Sequence, residues 1–355
     1  MAETSIIIIN YNGTDDTIRC LLSIHNCNSS DCNIIVVDNA SNQNNRSRLK
    51  NWLEKKQGVT PENDSPVLKK QSENIFSPFE FQSLQFNKSR FNINNEGLKK
   101  LKSNLFFIET EINNGFAAGN NIGLQLAQIL ESKFVWLLNN DTEIAANALS
   151  ELLQYSKKLK AENKKTGLVG SRVMFYEQPE IIQSLGGIFN PFFTKNSHCF
   201  GGKNESELKS EAVIKINYPY GASMFTDMEF ISSIGFMQED YFLLYEELDW
   251  TIRGKRKGFP VGVCLSSKVY HKQGKSMGRK MEKPHSPFTA CLRYRNFLKL
   301  YRRFFPLLLP LAYFHLIYKW IGCIRNGKKE ERKIIEKIFF GFSNCNIYKP
   351  AEMKN

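Results

Sequence analysis

Apolar runs that stop abruptly at polar residues organise the N-terminal part of the chain. Ile6 to Ile9 is β-branched and of buried-strand length, and it ends at the turn signal Asn10-Tyr11-Asn12-Gly13. Asp15 to Ile24 has helical spacing. Ile18, Leu21, Leu22 and Ile24 are apolar there, and Asp15 and Asp16 sit where the helix dipole is positive. Ile34 to Val37 is a second run, stopped by Asp38-Asn39-Ala40-Ser41. Phe106 to Ile108 and Phe134 to Leu138 follow, with helical spacing from Asn120 to Leu130 between them. Uniformly apolar strands alternating with helices predict βαβ units, and hence an α/β fold with a mostly parallel sheet and helices on both faces.

The polar stops fall at the C-terminal ends of the strands: Asn10/Asn12, Asp38/Asn39, Asn113/Asn114 and Asn139/Asp141. Open α/β sheets bind ligands at that edge, so the rim is the expected site. Residues 55–103 break the pattern. They are rich in Asn, Ser, Lys and Gln, contain Pro61, Pro66 and Pro78, and read as a partly ordered surface insertion. Phe76, Phe79, Phe81 and Phe86 leave a partner- or acceptor-binding arm open.

Composition narrows the class. The 355 residues are 42% hydrophobic, enough for one large domain or two smaller ones. The eight cysteines form no CxxC pair, which excludes a zinc ribbon or thioredoxin-like motif and suggests reduced thiols in a cytosolic protein. The start of the chain has no basic segment or small-residue cleavage site, so no signal peptide is expected. The net charge of +13 is uneven: residues 251–355 hold 24 Lys/Arg against 5 Asp/Glu, and residues 1–250 hold 24 against 30. An acidic body with a basic tail implies an anionic partner for the tail, a phospholipid surface or nucleic acid. No nucleic-acid-binding motif is present, and the acidic body argues against that partner.

Several segments can carry chemistry. Asn114-Gly115-Phe116-Ala117-Ala118-Gly119-Asn120-Asn121-Ile122-Gly123 is glycine-rich and opens a helix, where backbone N–H groups can approach a phosphate. It is neither GxGxxG nor GxxxxGK[ST], which argues against dinucleotide binding and P-loop hydrolysis. Asp141, in Asn139-Asn140-Asp141, is either a hard oxygen ligand for a divalent cation bridging to phosphates or the cap of a helix starting near Glu143. Glu246-Glu247-Leu248-Asp249 gathers like charges beside aromatics. That raises a carboxylate pKa, as a general base needs, unless the segment is a solvated helix start. His271 follows a strand-like run and is functional or structural.

In this order, IIIINYNG, IIVVDNAS, NNGFAAGNNIG, WLLNNDT, VGSRV, YGASM, IGFMQEDYFLLYEELDWTIRGKRKG and VYHKQGKS resemble the family 2 glycosyltransferases of GT-A fold, especially rhamnosyltransferase-like enzymes of bacterial O-antigen and capsule assembly. The resemblance covers roughly residues 4–50 and 104–276. It implies that Asn10 and Asn12 meet the nucleotide, Asp38 its base or ribose, and Asn114, Gly119 and Asn139 the donor. Asn139-x-Asp141 takes the DxD position, with Asp141 and His271 as ligands of Mg2+ or Mn2+. Glu247 takes the place of the catalytic base, with Glu246, Asp249 and Arg253 in support. The implied reaction is an inverting transfer from a nucleotide-diphosphate sugar, UDP- or dTDP-linked, to a glycan or lipid-linked saccharide in cell-surface polysaccharide assembly. Asn for the first acid of DxD, and Glu for the usual Asp base, leave a second reading: a nucleotide-sugar-binding or scaffold protein of the same fold that has lost turnover.

Residues 1–290 are then the transferase domain, with the insertion at 55–103, and 291–355 a basic, apolar helical region. Phe304 to Phe314 is strongly apolar, yet with Pro306 and Pro310 it reads as too short to span a bilayer. Arg293, Arg295, Lys299, Arg302 and Arg303 precede it, and Arg325, Lys328 and Lys329 follow. That pattern suits a peripheral anchor on anionic lipid at the inner face of the cytoplasmic membrane. The alternative is a helical pair packed on the body or on a second copy in a homodimer. No QxxRW-like motif occurs, which argues against a processive synthase.

Overall fold

The structure is a computed structural model, and it describes residues 2–27, 32–59, 65–68, 75–87, 90–91, 103–209, 214–272, 286–342 and 344–350. The first half runs β1 (Thr4–Asn10), α1 (Thr14–His25), β2 (Cys32–Asp38), α2 (Gln43–Leu53), β3 (Phe81–Asn87), β4 (Arg90–Phe91) and β5 (Leu105–Glu109), then α3 (Phe116–Ile129) and β6 (Phe134–Asn139). Next come β7 (Thr142–Ile144), α4 (Ala148–Ala161), β8 (Leu168–Phe175), β9 (Ile182–Ser184) and a hairpin of β10 (Gly187–Asn190) and β11 (Lys195–His198). β12 (Ser223–Asp227), α5 (Met228–Ile234), α6 (Glu246–Arg256) and β13 (Val261–His271) complete the body. Helices α7 (Pro287–Phe304), α8 (Leu309–Arg325) and α9 (Lys329–Phe339) form the C-terminal extension.

One large sheet has the order β4-β3-β5-β2-β1-β6-β12-β8-β13-β7, with β9 on β8. β3, β5, β2, β1 and β6 are parallel to one another. The β-branched runs are buried on both faces, as a parallel sheet covered by helices requires. Ile6, Ile8, Val36 and Trp136 face a core under α1, α2 and α4; Ile7, Ile35, Val37 and Leu137 face a second core under α3, α5 and α6. The chain winds outward from β1 to β2 and β5, then returns through α3 to place β6 on β1's other side. β1 and β6 therefore border the topological switch point, where a crevice opens at the strand ends. β12 pairs antiparallel to both β6 and β8, so the second half of the sheet is mixed.

Four expectations are corrected. The 55–103 segment is more than a surface excursion, because β3 extends the main sheet beside β5 and Phe79 is buried; residues 60–64, 69–74, 88–89 and 92–102 lie outside the described residues. Asp141 caps no helix, since β7 follows it and α4 begins only at Ala148. The thiols are not all reduced: Cys291 and Cys345 form a disulfide, with Cα atoms 5.7 Å apart. The tail's apolar stretch is not too short. Pro306–Arg325 is one 20-residue helical segment containing an 18-residue window of mean hydropathy 1.5, long and apolar enough to cross a membrane by length and composition, and only 17% of that window is buried. Both prolines sit in first turns, where a missing N–H breaks no helical bond.

The extension is joined to the body through one apolar cluster. Leu248 of α6, Phe189 of β10 and Tyr218 pack with Phe297, Leu300 and Tyr301 of α7 and with Leu316 of α8.

Candidate active site

The crevice between the ends of β1 and β6 is a cleft of about 220 Å3, lined among others by Tyr11, Asn39, Asn113, Gly115, Asn139, Tyr220, Glu246, Glu247 and His271. One wall holds a carboxylate–imidazole pair. Asp141 follows β6, His271 ends β13, and the β13–β7 pairing sets His271 opposite Thr142. His271 Nε2 lies 3.2 Å from Asp141 Oδ1. Gln183 Oε1 is 2.7 Å from His271 Nδ1. A carbonyl oxygen only accepts, so Nδ1 carries a proton and Nε2 is the ring nitrogen turned toward Asp141. Both oxygens of Asp141 are buried without a hydrogen-bond partner. A buried carboxylate with no hydrogen-bond donor is costly unless a positive charge lies beside it.

These residues fit a divalent cation. Two atoms held at about 2.1 Å and at right angles around one ion are about 3 Å apart, close to the observed contact. A metal-binding imidazole usually donates its second ring N–H to an acceptor, and the Gln183 Oε1 is that acceptor for His271 Nδ1. Among the described residues no group of three or more His, Cys, Asp or Glu gathers to hold an ion.

The opposite wall is the start of α6. Glu246 is 3% exposed and Glu247 half-buried. Burial pushes the Glu247 carboxyl up to about 7, against the pull of the backbone N–H groups at Tyr245 and Glu247. Burial, and the neighbouring Glu247, hold the Glu246 carboxyl well above the carboxylate range. The segment is therefore not a solvated helix start. Phe242, Leu244 and Tyr245 all have positive φ, at 66, 73 and 77°. Such backbone costs about 1–3 kcal/mol per residue and persists only where the surroundings enforce it. Here Asn296 of α7, fully buried, donates its amide to the carbonyls of Tyr241, Leu243 and Leu244 at 2.9, 2.8 and 3.0 Å. On the other side the Phe116 N–H donates to the Phe242 carbonyl at 2.7 Å. Gly115 has φ 96°, and a Cβ there would come within 2.3 Å of that same carbonyl.

The remaining candidates stand as follows. Asp249 is buried between Arg253 Nε at 2.7 Å and Arg303 at 3.0 Å, and Arg253 also donates to the carbonyls of Ile234 and Phe236. The pair thus anchors α6 to α5 and α7 and does not face the cleft. Asn10 and Asp38 are fully buried and spend their polar atoms on each other, Ser41, Thr17 and Arg46. Asn12 accepts from the Asn42 N–H. These three knit the loops after β1 and β2, and Tyr11 and Asn39 are the residues of those loops that line the cleft. Asn114 is exposed, while Asn113 lines the cleft and accepts from Asn39 and the Gly115 N–H. Gly119 packs on Ile9, so it brings α3 close to β1 and leaves no room for a ligand. Asn139 lines the cleft, with Nδ2 3.5 Å from His271 Nε2. Gln273 to Ser276 of the late motif lie outside the described residues. Gln183 and Asn296 carry no recognisable motif and come from distant elements, so only the fold brings them here, whereas Tyr220 opens the YGASM segment.

No protein-family model matches the chain. The low-salt glycan biosynthesis hexosyltransferase Agl10 of Haloferax volcanii is 24% identical over 196 residues, which is 54% of this chain and 58% of the relative. The chain thus matches less than two thirds of that protein's length. Among solved structures, S. aureus TarS superimposes over 84% of this chain and 39% of its own, at TM-score 0.46 and 12% identity. The mannosyltransferase PcManGT from Pyrobaculum calidifontis, in complex with GDP-Man and Mn2+, covers 98% of this chain and 84% of its own, at TM-score 0.48 and 12% identity.

Proposed function

We propose that this protein is an inverting glycosyltransferase of GT-A, family 2 type. It moves a sugar from a nucleotide-diphosphate donor to a hydroxyl of a glycan or lipid-linked saccharide. One observation carries the reading: a single cleft is lined by both His271, which has the unpartnered Asp141 carboxylate 3.2 Å from its ring, and Glu247, whose carboxyl burial pushes up to about 7. The relative's name, a hexosyltransferase of glycan biosynthesis, agrees with it.

Asp141 and His271 are the residues that would hold Mg2+ or Mn2+. When bound, the cation neutralises charge growing on the departing diphosphate. Gln183 fixes the imidazole in the tautomer that leaves Nε2 free to ligate. Tyr11, Asn39 and Asn113 line the donor end, with Asn113 in the role expected of Asn114. Glu247 takes the proton of the acceptor hydroxyl as its oxygen bonds to the anomeric carbon and the bond to the diphosphate oxygen breaks. A base with a pKa near 7 is half ionised at neutral pH and still basic enough to accept that proton. Among the described residues Glu247 is the more exposed of the two cleft carboxyls and Glu246 is buried behind it, which favours a single displacement with inversion. The half-exposed α8, flanked by basic residues, lies on an anionic membrane surface at its cytoplasmic face.

The test is nucleotide-diphosphate release from UDP-, dTDP- and GDP-sugars with Mn2+. Wild type should turn over one nucleotide class, and Glu247→Gln should be slower by roughly 100-fold or more while still binding the donor. Donor binding without turnover by wild type would favour the scaffold reading instead.

A further inference from the structure

A second and larger cavity, about 1460 Å3, lies between the β10–β11 hairpin and helices α7 and α8. Tyr245, the residue immediately before the Glu246–Glu247 pair, forms part of its wall, so the groove meets the catalytic cleft from the far side of the α6 start. The hairpin is fixed over it. Tyr301 of α7 donates to the Pro191 carbonyl at 2.6 Å, and Thr194 Oγ1 lies 2.9 Å from His315 Nδ1 of α8.

The lining is strongly cationic. Lys195, Arg293, Lys319, Arg325 and Lys328 face it, against Glu331 alone. Glu331 is already engaged by Lys328 at 3.7 Å and by the Tyr294 hydroxyl at 2.6 Å. Lys195, Lys319 and Arg325 have no carboxylate partner among the described residues. Burial first, and then the neighbouring Lys319, hold the His315 pKa below its ordinary value. Beside these cations, α8 turns outward a face of Leu311, Phe314, Ile317, Ile321 and Ile324, all well exposed.

We infer that this groove binds a diphosphate group carried by the acceptor. The assignment rests on the transferase reading for which end of the cleft receives the acceptor. So many cations around one open cavity suit a multiply charged anion better than a single carboxylate, and charge-assisted contacts give it register. With the diphosphate in the groove, a sugar attached to it extends past Tyr245 toward Glu247. A lipid on its other side would follow the apolar face of α8.

The experiment is calorimetric titration of the full chain with inorganic pyrophosphate and with farnesyl diphosphate in detergent. Both are run in EDTA without nucleotide, so that the Asp141–His271 pair has no cation. Wild type and Asp141→Asn should bind both probes equally, with affinity falling as salt rises. Lys319→Gln/Arg325→Gln should bind each roughly tenfold or more weakly. Both positions are exposed, and an unchanged melting temperature would confirm that the variant folds. Tighter binding of farnesyl diphosphate would assign the apolar face to the lipid; equal binding would assign the site to the diphosphate alone. Undiminished binding by the double variant, or no binding by wild type, overturns the inference. In a parallel titration with Mn2+ in place of EDTA, binding that appears only with the cation and is lost in Asp141→Asn but not in the double variant would move the diphosphate into the cleft, overturning the groove while leaving the transferase reading intact.

Discussion

Glu247 links protonation to both activity and stability. Its carboxyl titrates near 7 in the folded protein, against an ordinary 4.5. Turnover needs the ionised form, so kcat should climb with pH through about 7 and level off above it. The stability effect runs the other way. A carboxyl whose folded pKa is raised holds its proton longer in the folded state, so stability present below about 4.5 is lost as pH rises toward 7. Glu247→Gln removes that loss. Melting curves should show the variant no more stable than wild type at pH 4.5 and more stable at pH 8. Equal pH dependence of the two proteins would mean that Glu247 titrates normally. Neighbouring Glu246 is deeper and shares the site, so Glu246→Gln should also relieve the charge but leave the base in place.

At the level of elements, the catalytic edge of α6 is held in place by a residue far away in sequence. The run Tyr241 to Tyr245 is strained, and Asn296 of α7 satisfies three of its carbonyls. Asn296→Ala would leave the Leu243 and Leu244 carbonyls unpaired at about 1–3 kcal/mol each, while the Tyr241 carbonyl keeps Arg295 and the Leu243 N–H, and would let the loop relax. The expected result is a protein that folds with a lower melting temperature and loses turnover far more than donor affinity. A variant with unchanged kcat would show that the loop keeps its shape unaided. This coupling explains what could be read from the chain alone. Strands β1, β2, β5 and β6 were legible because a fully buried parallel strand must be apolar along its whole length. The acids and His271 were legible because their types are chemically distinctive. Asn113 in place of Asn114 was not, because the backbone reversal at Gly115 decides which amide faces inward. Gln183 and Asn296 were illegible, since an amide shows its use only when folding sets it against a ring nitrogen or a strained carbonyl. Asn10 and Asp38 were conspicuous, yet burial spends their hydrogen bonds on neighbouring loops.

Across the whole molecule, the sheet's switch point, the strained α6 edge and the helical extension meet around one α6 terminus. The extension packs on the body through Phe189, Tyr218 and Leu248 and still leaves Leu311, Phe314 and Ile317 exposed. Exposed apolar groups bordered by basic residues should bind anionic vesicles. Flotation with phosphatidylglycerol liposomes should recover wild type with the lipid. Leu311→Glu/Phe314→Glu should stay in solution with an unchanged melting temperature, and co-flotation of this variant would place the contact elsewhere. The disulfide between Cys291 and Cys345 ties the first turn of α7 to the chain beyond α9, so the extension is closed on itself at the end nearest Glu247.

The cation-dependent donor cleft is tested most directly by melting wild type and Asp141→Asn with UDP-, dTDP- and GDP-sugars, each with and without Mn2+. A ligand that binds only the folded state at 100 times its Kd adds about 2.7 kcal/mol. Wild type should be stabilised by one nucleotide class, more strongly with Mn2+, and Asp141→Asn should lose the Mn2+-dependent part. No shift with any nucleotide sugar, or an identical Mn2+-dependent shift in Asp141→Asn, would contradict it.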